Sequence, residues 1–148
     1  MRAIISVLAL VLCLGVTTNG FAADSYLCVA DKATGFRYYK ETKKWGQANF
    51  NVETQKYVFS KSESSFSKPD KPVFKWELTE MGQDTPWITI YNEDFSQDGT
   101  IKGEGHNFRF IMNKKSLRYL KSHSNGYLDG IDSNDNTPYI EIGKCSQL

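Results

Sequence analysis

From residue 25 onward, apolar and polar residues alternate in short runs broken by turn formers. A period of two is the signature of half-buried strands, and no long 3.6-residue periodicity competes with it. The cleanest run is 73–80, where Phe74, Trp76 and Leu78 alternate with Lys75, Glu77 and Thr79. One face of that strand should be buried and the other wet. Similar runs predict strands over 25–30, 36–40, 47–52, 56–61, 87–91, 100–105, 106–112, 116–122 and 139–144. The segment D-K-A-T-G at 31–35 reads as a turn, as do M-G-Q-D-T-P at 81–86, Asn113-Lys114-Lys115 and Asn125-Gly126. The serine-, lysine- and proline-rich stretch 62–72 reads as an exposed loop. At 116–123, Leu117, Leu120 and Lys121 also fit a helical period, so a helix is the alternative there. The expected fold is all-β, a small antiparallel barrel or strongly curled sheet of eight to ten short strands. Closure would remove exposed strand edges.

The first residues differ in kind. Met1-Arg2 is followed by an uncharged run over 3–16, then by small and polar residues ending in G-F-A-A-D. The run is shorter than the roughly 20 residues that span a hydrocarbon core, so it reads as a cleavable signal peptide over 1–22. Residues 23–148 then form a single β domain, in the periplasm or secreted. Cys13 raises the question of a lipid anchor, but Leu12 precedes it where lipoprotein processing needs a small residue. No stable membrane anchor is expected. The formal charge of +1 falls to zero once Arg2 leaves with the signal. A neutral chain has no general pull toward phosphate backbones, which argues against nucleic acid as a partner. Of the 9 Phe, 8 Tyr and 3 Trp, all but Phe21 remain, and such rings suit a sheet-based core.

Two cysteines remain after cleavage, Cys28 and Cys145, near the two ends of the domain. In an oxidising compartment two lone cysteines are read as a disulfide, with two separate buried thiols as the alternative. Neither has a second cysteine or histidine at ligand spacing, which argues against a metal site.

Candidate chemistry is sparse. The two histidines, His106 and His123, lie in no nucleophile or metal motif. In D-F-S-Q-D-G-T-I at 94–101, Asp94, Ser96, Asp98, Gly99 and Ile101 match calcium-loop places, yet Gly105 stands where the closing Glu belongs. A polar turn between strands accounts for the same residues. The loop D-G-I-D-S-N-D-N-T at 129–137 fits calcium less well and reads as a solvated turn. Tyr38, Tyr39, Trp45, Trp87 and Tyr127 sit beside turns or next to other rings, and serve either the core or a pocket or partner patch.

C-V-A-D-K-A-T-G-F at 28–36, Trp45, N-F-N-V at 49–52, M-N-K-K-S-L-R-Y-L at 112–120 and T-P-Y-I-E-I-G-K-C at 137–145 together resemble a group of small exported proteobacterial proteins. The resemblance implies a Cys28–Cys145 bridge as a shared feature. It also implies that a second bridge of some members is missing here, where Tyr91 and Gly103 stand. It brings no activity, substrate, cofactor or catalytic residue. The expected function is therefore a non-enzymatic binding or interaction protein, taking a small apolar ligand or a protein partner. The alternatives are a hydrolase using His106 or His123, and a structural envelope protein stabilised by calcium at Asp94–Asp98.

Overall fold

The structure, a computed structural model, describes residues 24–62, 74–91, 94–105, 107–135 and 137–148. Residues 1–22, His106 and most of the 62–72 loop, on which some sequence expectations fall, lie outside them.

Among the described residues nine strands run β1 (Ser25–Tyr39), β2 (Lys44–Phe50), β3 (Lys56–Lys61), β4 (Phe74–Glu80), β5 (Ile88–Tyr91), β6 (Thr100–Gly105), β7 (Phe108–Asn113), β8 (Arg118–His123) and β9 (Tyr139–Gln147). All neighbours are antiparallel. The order β1-β3-β4-β5-β6-β7-β8-β9 closes on itself because β9 pairs back onto β1, giving an eight-stranded barrel. The ninth strand, β2, stands outside the ring. The first part of β1 carries β3 on one edge (Cys28 opposite Tyr57), and its last part carries β2 on that same edge (Tyr38 opposite Trp45). The hairpin of β1 and β2 therefore rises above the barrel wall as a flap.

The length of β1 corrects one expectation. Residues 31–35 are not a turn; the strand continues through them, with a bulge between Ala30 and Lys32. Partners on both edges, β9 and β2, outweigh the local turn preference of D-K-A-T-G. Gly35 is there for room: a Cβ would lie 2.2 Å from the Pro138 carbonyl oxygen. Residues 118–123 are strand, with Tyr119, Lys121 and His123 buried in alternation, so the helical alternative is excluded. The preceding turn extends to Leu117, whose φ is 55°.

Inward residues divide by height. One end is apolar, built on Tyr26, Phe59, Trp76, Leu78, Ile88, Ile101, Phe110 and Met112, with Phe59 stacked on Trp76 at 5.0 Å. The Cys28–Cys145 disulfide joins directly opposed residues of β1 and β9 and packs in the same buried cluster. Toward the other end the interior turns polar.

Candidate functional site

The polar layer is set by strand register. Lys121 of β8 lies directly opposite Glu141 of β9, and Tyr119 lies opposite Gly143. Gly143 leaves space for the Tyr119 ring, which a Cβ would approach to 2.5 Å. Tyr57 enters from β3. Lys121 Nζ donates to the Tyr57 hydroxyl at 2.6 Å, and that hydroxyl lies 3.0 Å from Glu141 Oε2. Tyr119 donates to Glu141 Oε1 at 2.8 Å. Gln55 Oε1, also 3.0 Å from Tyr57 Oη, is a second acceptor there. Cation and anion are thus joined through a tyrosine hydroxyl.

Both charges are almost fully enclosed: Lys121 is 1% and Glu141 2% exposed. Burial pushes the Lys121 ammonium below the usual lysine range, while Glu141 and Glu80 pull it back up. Burial, followed by the Glu141 charge, holds the Tyr57 and Tyr119 hydroxyls well above the tyrosine range. Tyr139 is raised as well, first by burial and then by Glu141 and Glu80. The remaining protons of Lys121 face rings. Its Nζ lies 4.2 Å from the ring centroid of Tyr57, 4.8 Å from Trp87, 5.4 Å from Phe108 and 5.7 Å from Tyr139.

Above this layer is a cup of about 510 Å³. Glu141 reaches it from below. Its wall is a continuous belt of rings. Phe108, His123 and Tyr139 are cross-strand partners on β7, β8 and β9. Trp87 meets Phe108 at 5.1 Å, Phe108 stacks on His123 at 4.6 Å, His123 meets Tyr139 at 5.9 Å, and Tyr139 meets Phe50 of β2 at 6.0 Å. Trp87 is placed by its backbone N–H, which donates to the Leu78 carbonyl at 2.9 Å. Glu80, at the end of β4, adds a half-buried carboxylate with no hydrogen bond or ion pair among the described residues.

The lid of the cup comes from the flap and from the β8–β9 connection, which contains a short 3-10 turn at Tyr127–Asp129. The 129–137 loop is more than a solvated turn. Asn134 imitates a strand: its Oδ1 accepts from the Tyr38 N–H at 2.9 Å, and its Nδ2 donates to the Tyr38 carbonyl at 3.0 Å. Asp132 accepts from the Trp45 indole at 2.8 Å, and Tyr38, Trp45 and Tyr127 pack ring to ring outside. Of the five aromatic candidates, then, Trp87 lines the cup, while Tyr38, Trp45 and Tyr127 fasten the lid. Tyr39 lies over Gly46 and donates to the Gln47 carbonyl at 3.2 Å.

His123 is in the cup, but its Nδ1 contacts the Thr137 carbonyl at 3.1 Å, and among the described residues its ring bonds no Ser, Asp or Glu. A carbonyl only accepts, so Nδ1 is the donor in that contact. Among the described residues no nucleophile–base pair is formed at His123. In the 94–101 loop, Asp98 accepts from Ser96 Oγ at 2.5 Å and from the Thr100 N–H at 2.9 Å. The Ser96 bond leads in holding that carboxyl below the usual range. These are the bonds of a closed turn. Among the described residues no group of three or more His, Cys, Asp or Glu could hold a metal ion.

Lys121 and Glu141, the centre of the polar layer, did not stand out in the sequence as site residues. The signal that finds them is alternation. With Cys145 turned inward, Gly143 and Glu141 must follow, and on β8 Tyr119 brings Lys121 with it.

Comparison of the chain with protein families, with curated proteins and with solved structures finds no match. The disulfide is compatible with an oxidising compartment. Among the described residues no helix is long and apolar enough to cross a membrane.

Proposed function

We propose that this chain is a non-enzymatic binding protein of the periplasm or the cell exterior, and that the mouth of its barrel holds a small ligand. One observation carries the reading: five rings in unbroken contact surround a cup of about 510 Å³ whose floor is a buried ionic layer. Ligand sites are concave, mostly apolar, and fitted with a few convergent polar groups, and barrel mouths are among their usual places. A buried ionic pair also adds little net stability compared with apolar packing, so its position beneath an open cup calls for a role other than holding the fold. Native mass spectrometry of the protein purified from its exporting host should show a bound small molecule. Trp87→Phe should weaken its retention. An empty protein, together with no Trp87-dependent binding across a broad compound screen, would end this reading.

A protein partner is the second reading. It is favoured by an apolar patch on the outer face of β1 and β9, where Phe36 is 56% and Ile140 51% exposed. Phe36→Lys with Ile140→Lys should abolish a stoichiometric complex if that face is the interface, and leave ligand retention in the cup unchanged.

A further inference from the structure

We propose that the cup takes an organic cation, an ammonium carried on a small apolar body. This rests on the ligand-binding reading above and adds the class of ligand.

The argument begins with what the cup can offer a guest. Its carboxylates are Glu141 beneath, Glu80 in the wall and Asp135 at the rim. Against them stand Arg37 at the rim and the Lys121 ammonium below the rings. The balance is one negative charge in excess. Lys121 and Glu141 are both enclosed and engaged by tyrosines, whereas the Glu80 carboxylate has no hydrogen-bond or ion-pair partner among the described residues. His123, 7% exposed, places its Nδ1 3.1 Å from the Thr137 carbonyl, and its ring makes no other hydrogen bond among the described residues.

The rings point the same way. The faces of aromatic rings carry negative potential and attract cations. Here that attraction is already at work on a resident ammonium, since Lys121 Nζ lies within 5.7 Å of four ring centroids, three of which belong to cup-lining residues. The same belt, approached from the cup, offers a guest rings for its apolar body and carboxylates for its charge. An anionic guest of the same shape would meet Glu80 and Glu141 with no free counter-charge deeper than Arg37 at the rim.

The test compares three probes of one shape by calorimetry on the purified protein: 2-phenylethylammonium, 2-phenylethanol and 3-phenylpropionate. The ammonium should bind about tenfold or more tightly than the other two, and its affinity should fall with added salt. Glu80→Gln should remove most of that preference and leave the alcohol unchanged; Asp135→Asn, on an exposed loop, should lower the ammonium affinity alone to a smaller degree. If the alcohol or the carboxylate binds as tightly as the ammonium, and does so in a Trp87-dependent way, the cation preference is overturned and the ligand cup stands. If none of the three binds, the cation proposal is overturned, and the ligand cup is then decided by the native mass spectrum and the broad compound screen.

Discussion

A lysine and a glutamate facing each other inside a barrel need a reason, because each charge loses its water on burial. The structure supplies partial compensation: Glu141 accepts from two tyrosines, and Lys121 donates to one of them amid ring faces. Removing one partner leaves the other uncompensated. Lys121→Met and Glu141→Gln should each cost about 3–5 kcal/mol in urea unfolding, whereas the double variant should cost less than their sum by about 1–3 kcal/mol. Additive losses would mean that the two charges do not sense each other. The tyrosines make a second, pH-based expectation. The Tyr57, Tyr119 and Tyr139 hydroxyls are held above the free value of 10.0, so above that pH the unfolded chain loses protons that the folded chain keeps. Stability must then fall as pH rises past about 10. Lys121 acts with the opposite sign. Its lowered value means that a penalty fades as pH climbs toward 10.5, but one lysine stands against three tyrosines. Tyr119→Phe should flatten the alkaline decline. Tyrosinate absorbance at 295 nm should stay short of its full value until the circular dichroism shows unfolding; full ionisation of the folded protein near pH 10 would refute this. This chemistry was half legible in the sequence. Period-two alternation counted back from Cys145 places Glu141 inside, but lysine and glutamate are ordinarily surface residues, and only the register of β8 on β9 shows that they meet.

Strands whose alternation is strong were readable one by one: Trp76 and Leu78 in β4, Tyr57 and Phe59 in β3, Phe110 and Met112 in β7 all face inward as their spacing requires. What misled was local turn chemistry. D-K-A-T-G carries the residues of a turn, yet it is the stretch where β1 gains β2 on one edge while keeping β9 on the other, and long-range pairing decides. Its glycine answers to Pro138, far along the chain. The D-G-I-D-S-N-D-N-T loop misled in the other direction. Its Asn and Asp residues look like ordinary turn formers, and nothing local reveals that Asn134 completes the hydrogen bonding of Tyr38, 96 residues away. That clamp is separable from the barrel. Asn134→Ala removes two hydrogen bonds worth roughly 0.5–1.5 kcal/mol each. The amide of Tyr38 and those of the 126–135 loop should exchange about tenfold faster or more, while exchange in β7 and β8 stays as it was. Faster exchange throughout the barrel would mean that the lid is part of the cooperative core.

Closure is where the molecule as a whole is decided. The first strand meets the last along registered pairs from Tyr26–Gln147 to Gly35–Tyr139, and the disulfide sits within that ladder at Cys28–Cys145. Two consequences pull apart. The cysteines are 117 residues apart, and tying so long a loop is worth roughly 4–5 kcal/mol on chain entropy alone. That contribution acts on the unfolded chain. In the folded state the hydrogen-bonded ladder continues on both sides of the bridge, so the seam has its own means of staying shut. The bridge should therefore set how stable the barrel is without setting whether it forms. Reduction, or Cys28→Ala with Cys145→Ala, should lower unfolding stability by about 2–5 kcal/mol, while the near-ultraviolet circular dichroism at 25 °C and the affinity of the cup remain those of the oxidised protein. The cup is placed to make this visible: Glu141 and Tyr139 lie on β9, four and six residues before Cys145, so a seam that opened on reduction would carry the floor and one wall away with it. Loss of ligand binding in a reduced protein that is still folded would show that the sulfur bridge, and not the strand ladder, holds the barrel closed.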